Sequence, residues 1–226
     1  MLIVAAMFIL AFIVQPFRIP SESMEHTLLV GDFLFVDKAT LAPAGIWGWL
    51  LPYHKIARGD IVVFHFPLDS EEHVVKRVIG EPGDEISLHD GIAVVNDSPR
   101  AEPYDVFERA DDDQYRDQFP RYTTDDPAVD PHWRQEMRTL VDNAHLRVPV
   151  GRYFVLGDNR NHSRDSRYWG FVPRQNIEGT PLVIYFSVRE PSATDTAPLP
   201  DDRLGTSVVD RLLSFARWDR IFHVVR

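Results

Sequence analysis

Residues Asp60 to Phe66 read Asp-Ile-Val-Val-Phe-His-Phe, and residues Val74 to Gly80 read Val-Val-Lys-Arg-Val-Ile-Gly. Both runs are rich in β-branched and aromatic side chains, which suit the pleated, half-buried surface of a strand. Pro82-Gly83-Asp84 follows as a turn. Working outward, Glu85 to Val95 reads as a hairpin around Asp90-Gly91, and Tyr153 to Leu156 and Leu182 to Val188 read as two further strands. One soluble helix is expected, over Ser207 to Phe222, where Val208, Leu212, Phe215 and Ile221 give an approximate helical stripe. The chain is therefore expected to be mainly β. Asp105 to Asp130 carries nine acidic and three arginine side chains with little periodicity, and reads as a solvated loop or the edge of an insertion.

The 226 residues are enough for one sizeable domain, or for a core domain with a large insertion, and 44% hydrophobic with 26% charged residues is the composition of a folded protein. A net charge of -10 argues against nucleic acid as a partner, because phosphate binding needs a basic surface. The absence of cysteine excludes disulfides, thiolate nucleophiles and cysteine-ligated metals.

Met1 to Val14 is apolar and uncharged throughout. A cleaved signal peptide would show a positive n-region and a small-x-small site, and neither is evident. As a helix these residues reach only ~21 Å against a hydrocarbon core of ~30 Å, so length alone favours a buried core segment over a membrane anchor. The prolines of Gln15-Pro16-Phe17-Arg18-Ile19-Pro20 stop a helix from continuing.

Three stretches carry potential chemistry. Ser21 and Ser23, in Pro20-Ser21-Glu22-Ser23-Met24, place two hydroxyls close together, one able to attack a carbonyl and the other to hold the resulting oxyanion with a backbone N–H. Paired serines also mark caps and turns. A hydroxyl nucleophile needs a base. The chain has 24 lysines and arginines, of which only Lys38, Lys55 and Lys76 are lysines. Arginine does not give up its proton, whereas a buried lysine can. By strand alternation Lys76 shares a face with Val74 and Val78, a place where its amine is a candidate general base, although a lysine snorkelling to a sheet edge has the same pattern. Gly157-Asp158-Asn159-Arg160-Asn161-His162-Ser163-Arg164-Asp165-Ser166-Arg167 follows a strand and is dense in polar groups. In it Asp165 and Arg167 can pair and Ser163 can orient a base, or the whole can be a decorated turn. The nine histidines show no i,i+3 or i,i+4 pair for a helical metal site. A Ser-His-Asp triad through His26 or His162 stays open, since triads are recognised by geometry.

In this order, these stretches resemble the motif segments of the bacterial type I signal peptidases, a Ser/Lys-dyad serine protease family. Pro20-Ser21-Glu22-Ser23-Met24 is similar to the nucleophile segment, and Arg58-Gly59-Asp60-Ile61-Val62 to the strand motif that follows it. Lys76-Arg77-Val78-Ile79-Gly80 with Pro82-Gly83-Asp84 is similar to the general-base segment, and Gly157 to Gly170 to the last. The resemblance implies Ser23 as nucleophile, Lys76 as general base and Ser21 in the oxyanion hole. Ser163 would orient Lys76, and Asp165 with Arg167 would support that wall. It implies a coiled antiparallel β-sheet catalytic core (residues 19–84 and 151–226), a β-rich insertion with the acidic loop (85–150), and one N-terminal transmembrane helix as anchor (1–18, with upstream residues missing).

The same resemblance implies a single-pass protein of the inner (plasma) membrane, catalytic domain outside the cytoplasm. Its partners would be the lipid bilayer and the signal peptides of preproteins with small-x-small cleavage sites, with no metal or organic cofactor. The chain departs from the family pattern at His26, where proline is usual, and at His162, where asparagine is common. Two rival readings are a Ser/Lys protease with a more specialised substrate and a membrane-tethered β-rich binding module.

Overall fold

The computed structural model describes residues 14–38, 55–107, 113–122, 124–189 and 215–225. Two antiparallel sheets carry them. The larger has the order β1 (Val14–Arg18), β2 (Asp32–Asp37), β12 (Ile177–Ser187), β3 (Ile61–Phe66), β4 (Asp69–Gly80), β10 (Arg152–Leu156) and β11 (Val172–Pro173), with β13 (His223–Val224) also paired to β12. The smaller has the order β7 (Ser98–Pro99), β6 (Ile92–Val95), β5 (Glu85–His89), β9 (His145–Arg147) and β8 (Val141–Asp142).

The strands expected from the Asp60 and Val74 runs are β3 and β4, a hairpin in which Val62 faces Lys76 and Ile61 faces Arg77. Alternation along β4 divides its side chains between cores. Val78 joins the cluster of Val62, Phe64 and Val155, Val75 joins that of Ile19, Met24 and Val63, and Ile79 packs with Ile86 and Phe154. Strand β12 bends to serve two neighbours, meeting β3 at Ile177 and Gly179 and β2 from Thr180 to Ser187. Gly179 allows this: a Cβ there would lie 2.2 Å from the Asp37 carbonyl oxygen.

Residues 85–147 supply all of the second sheet and two helices not anticipated from the sequence, α1 (Gln114–Asp117) and α2 (Pro131–Leu140). The side chains of Asp113 and Asp130 cap them, and Pro131 opens α2 with its fixed φ. The acidic stretch is accordingly more than a solvated loop. Tyr115, Phe119 and Val129 are buried with Trp133 of α2 in the core beneath the second sheet, and Arg116 pairs with Asp117 at 2.6 Å.

The helix expected over Ser207 to Phe222 is corrected where it can be seen. Residues 207–214 lie outside the described residues, and from 215 onward the chain forms a 3₁₀ turn, Trp218–Arg220, and strand β13. Side chains draw this backbone inward: Arg220 binds Asp32 at 2.6 Å and Arg217 donates to the Val30 carbonyl at 3.0 Å. Asp32 is fully buried and also accepts from Ser187 Oγ at 2.6 Å. The apolar run falls on residues 1–13, outside the described residues, except for Val14, which begins strand β1 paired with β2. Among the described residues no helix is long and apolar enough to cross a membrane.

Candidate active site

Ser23 sits in a single 3₁₀ turn, Glu22–Met24, entered from extended backbone at Ser21. Met24 anchors the turn: it is 1% exposed and packs with Leu28 and Ile19. The next turn, Met24 to Thr27, closes through a Thr27 N–H to Met24 carbonyl bond of 3.1 Å and puts His26 at φ +82°. With Glu25 at φ -54°, ψ 148°, this is a type II turn whose third position favours glycine.

Lys76 projects from the middle of β4 to this turn. Its Nζ lies 2.6 Å from Ser23 Oγ and 3.1 Å from the Val75 carbonyl oxygen. Lys76 is 3% exposed and Ser23 6%, so two polar groups meet in a nearly dry site. Burial pushes the lysine down from 10.5 to about 8, with Asp165, Asp158 and Glu72 opposing the shift. An amine poised there is neutral in about a tenth of molecules at pH 7, and a neutral amine at this distance is able to accept a proton from a hydroxyl. Ser21 Oγ lies 3.3 Å from Ser23 Oγ on the exposed side. Neither His26 nor His162 hydrogen-bonds Ser23 among the described residues. The groove at Ser23 is lined by Phe17, Pro20, Phe66, Val74, His162 and Trp169 among others.

The polar run after β10 forms the wall behind the pair. The Asn159 N–H donates to the Ser23 carbonyl at 3.2 Å, and the Asn159 side-chain amide to the Glu22 carbonyl at 3.3 Å. Gly157 is where the wall and the Ser23 turn touch. A Cβ there would lie 2.4 Å from the Ser23 carbonyl oxygen and 2.3 Å from Ser163 Oγ. Ser163 is thus placed beside the Ser23 backbone. Its hydroxyl is buried beside the Asp165 carboxylate, which it helps to hold charged, and no Ser163–Lys76 hydrogen bond is present.

Asp165 and Arg167, both fully buried, form a two-pronged pair at 2.8 Å for each prong. Burial drives the Asp165 carboxyl up, and the Arg167 guanidinium more than offsets this and holds it below the usual range. Asp165 also caps Arg167 N–H and accepts from Gly157 N–H at 3.1 Å. The Arg167 carbonyl accepts from Tyr115 OH at 2.5 Å and Trp133 Nε1 at 3.0 Å, which ties the acidic stretch and α2 to the wall.

Sequence reasoning assigned no role to Asp158 or to Arg77. Arg77 binds Asp158 through Nε at 2.8 Å and Nη2 at 2.7 Å, Thr27 Oγ1 donates to the same carboxylate at 2.5 Å, and the guanidinium lies 3.8 Å from the Tyr104 ring centre. This clamp joins β4, the nucleophile turn and the wall. The signal was an arginine directly after the lysine, which alternation turns to the opposite side of the strand.

The family model described as "Signal peptidase, peptidase S26" matches residues 1–186. The signal peptidase I of Aquifex aeolicus is 33% identical over 228 residues, covering 86% of this chain and 84% of that protein. That of Pseudomonas fluorescens is 34% identical, covering 80% and 68% respectively, and a probable signal peptidase I of Synechocystis is 35% identical, covering 81% and 77%. With the match extending over most of the chain and holding a serine and a buried lysine in contact, the chain belongs to the signal peptidase family, peptidase S26.

Proposed function

We propose that this protein is a serine endopeptidase that cleaves signal peptides from exported preproteins, with Ser23 as nucleophile and Lys76 as general base. The observation that carries the reading is the 2.6 Å contact between Lys76 Nζ and Ser23 Oγ in a nearly dry site at the floor of a groove. Neutral Lys76 takes the Ser23 proton as Oγ attacks the scissile carbonyl. Ser23 N–H lies in the first turn of the 3₁₀ segment, where no preceding carbonyl of the turn can accept from it, so it is available, with Ser21 Oγ, to hold the oxyanion. Lys76 then returns the proton to the leaving amine, and water, deprotonated by the same lysine, releases the acyl group.

Ser163 is the residue proposed to orient Lys76 during turnover. Its buried hydroxyl lies between the Asp165 carboxylate and the Ser23 backbone, from where it can rotate toward the amine. Asp165 and Arg167 keep the wall in place. The preprotein binds extended along the β4 segment from Glu72 to Lys76, whose only strand pairing among the described residues is with β3, since β10 pairs with β4 only from Arg77 onward. Shallow apolar walls at Phe17, Phe66 and Val74 suit small side chains before the cut. Residues 19–84 and 151–226 form the catalytic core, joined by strand β1 (Val14–Arg18) through its pairing with β2, and 85–150 form the insertion. The apolar residues at the N-terminal end hold the enzyme in the plasma membrane as a single span, with the core on the extracytoplasmic side, because the nucleophile then meets signal peptides as they emerge.

The test is cleavage of a purified preprotein in detergent by wild type, Ser23→Ala and Lys76→Ala. Cutting after a small-x-small site by the wild type, with both variants folded and inactive, is the expected result. A Lys76→Ala enzyme with wild-type turnover would remove the lysine from the mechanism.

A further inference from the structure

Strands β12, β3 and β4 carry a second polar cluster outside the dyad. His65 and His73 are direct cross-strand partners, their rings 4.5 Å apart, and Glu178 reaches both from β12. Glu178 Oε1 lies 3.0 Å from His65 Nε2, and Oε2 lies 3.2 Å from His73 Nε2. One donor atom from each residue falls within 4.8 Å of the others.

The tautomer of His65 makes the arrangement informative. Its Nδ1 lies 2.8 Å from the Ser70 carbonyl oxygen, which can only accept, so Nδ1 carries the hydrogen. In the neutral ring Nε2 is then a bare lone pair aimed at a carboxylate oxygen. Two lone pairs at that distance repel unless a cation lies between them. A backbone carbonyl holding Nδ1–H is also the usual outer contact of a metal-bound histidine.

We infer that His65, His73 and Glu178 form a binding site for one divalent transition metal of the zinc class. Two imidazoles and one carboxylate are a common zinc ligand set, completed by water in the fourth position. At metal–ligand distances of about 2.0–2.2 Å, neighbouring donors of a tetrahedral site lie about 3.3–3.5 Å apart, so the two histidine–carboxylate contacts need to open by a few tenths of an ångström while the three donors, already within 4.8 Å of one another, gather about the ion. All three residues are partly exposed, so the ion has an entry path. The competing cation is Lys38, 3.6 Å from Glu178 Oε1 and 34% exposed in its side chain, whose flexible stem lets it withdraw. The Asn176 amide donates to the His65 carbonyl and not to its ring. The bound ion would clamp β12 and β3 to the strand that carries Lys76.

The experiment uses the full chain in detergent, stripped with a chelator, and titrated calorimetrically with Zn²⁺ and spectroscopically with Co²⁺. The wild type is expected to take up one more equivalent than a His65→Gln/His73→Gln/Glu178→Gln variant, to show tetrahedral Co²⁺ absorption, and to melt at a higher temperature with Zn²⁺. Each single glutamine variant should bind at least tenfold more weakly while retaining wild-type circular dichroism. Equal uptake by the wild type and the triple variant overturns the site. So does a wild type that shows no metal-dependent melting shift but a pH-dependent one that is lost in His65→Gln, which would mean that the cluster holds protons alone.

Discussion

The buried amine gives the enzyme a defined response to pH. The Lys76 amine titrates at about 8, displaced from 10.5 chiefly by burial. If neutral Lys76 is the base, kcat/KM should fall tenfold per pH unit on the acid side, because only the free enzyme with a neutral amine reacts. An apparent value near 8 leaves about 10% of the maximal rate at pH 7 and about 1% at pH 6. The displacement also fixes a stability effect of known sign. Between about 8 and 10.5 the unfolded chain keeps a proton that the folded chain has lost, so stability rises with pH across that window. Below it the amine is charged in both states, and the full penalty of about 3 kcal/mol for this displacement weighs against the fold. Lys76→Met, which keeps the length and drops the charge, is therefore expected to be inactive and yet more stable at pH 7, by up to about 3 kcal/mol, with the gain shrinking toward pH 10. The assay is cleavage of an internally quenched peptide in detergent from pH 5.5 to 9.5, with urea unfolding of both proteins at pH 7 and pH 10. An acid limb centred near 6.5 that disappears in His162→Ala, or a Met variant less stable at pH 7, would refute the buried-base reasoning.

Further outcomes follow from the same geometry. Glu72→Gln removes an exposed carboxylate that supports the charged amine, and should move the acid limb to lower pH, less so in high salt. Gly157→Ala drives a methyl group into the Ser23 carbonyl and Ser163 Oγ, and should lower kcat/KM on the order of 100-fold by displacing the nucleophile, as measured in the same peptide assay. Asp165→Asn leaves the Arg167 guanidinium buried without its counter-charge and should cost about 3–5 kcal/mol in chemical unfolding. His26→Gly relieves the positive φ at the third position of its turn, and should raise stability by on the order of 1 kcal/mol with cleavage retained.

Strands β3, β4, β10, β12 and the β5–β6 hairpin were legible because each buries at least one face against neighbours and so shows a run of branched residues. Helix α2 was not. Its apolar stripe is short, Trp133, Met137 and Leu140 at helical spacing among polar residues, and its start was marked by Asp130-Pro131. The acidic stretch misled for the opposite reason: its carboxylates dominate the composition, while Tyr115, Phe119 and Val129 do the packing. At the C-terminal end, an apparent stripe at Phe215 and Ile221 lost to the ion pair of Arg220 with Asp32, a partner 188 residues away that no local pattern reveals. The chemical groups of the dyad were readable, but their meeting across 53 residues was not. The His65–His73 pair escaped for the same reason, since its spacing follows a hairpin and not a helical turn.

The closure of Asp32 by Arg220 and Ser187 has a consequence for how the molecule comes into being. The residues that neutralise this buried carboxylate, and β12 which separates β2 from β3 in the larger sheet, are all made late in synthesis. The nucleophile turn, synthesised first, therefore waits unsupported through most of translation. Folding of such a long-range topology is slow and cannot proceed cooperatively until nearly the whole chain is available. A nascent chain that already contains Ser23 and Lys76 thus has no assembled wall behind them, and the proposed dyad is expected to come together only when the last strand joins the sheet.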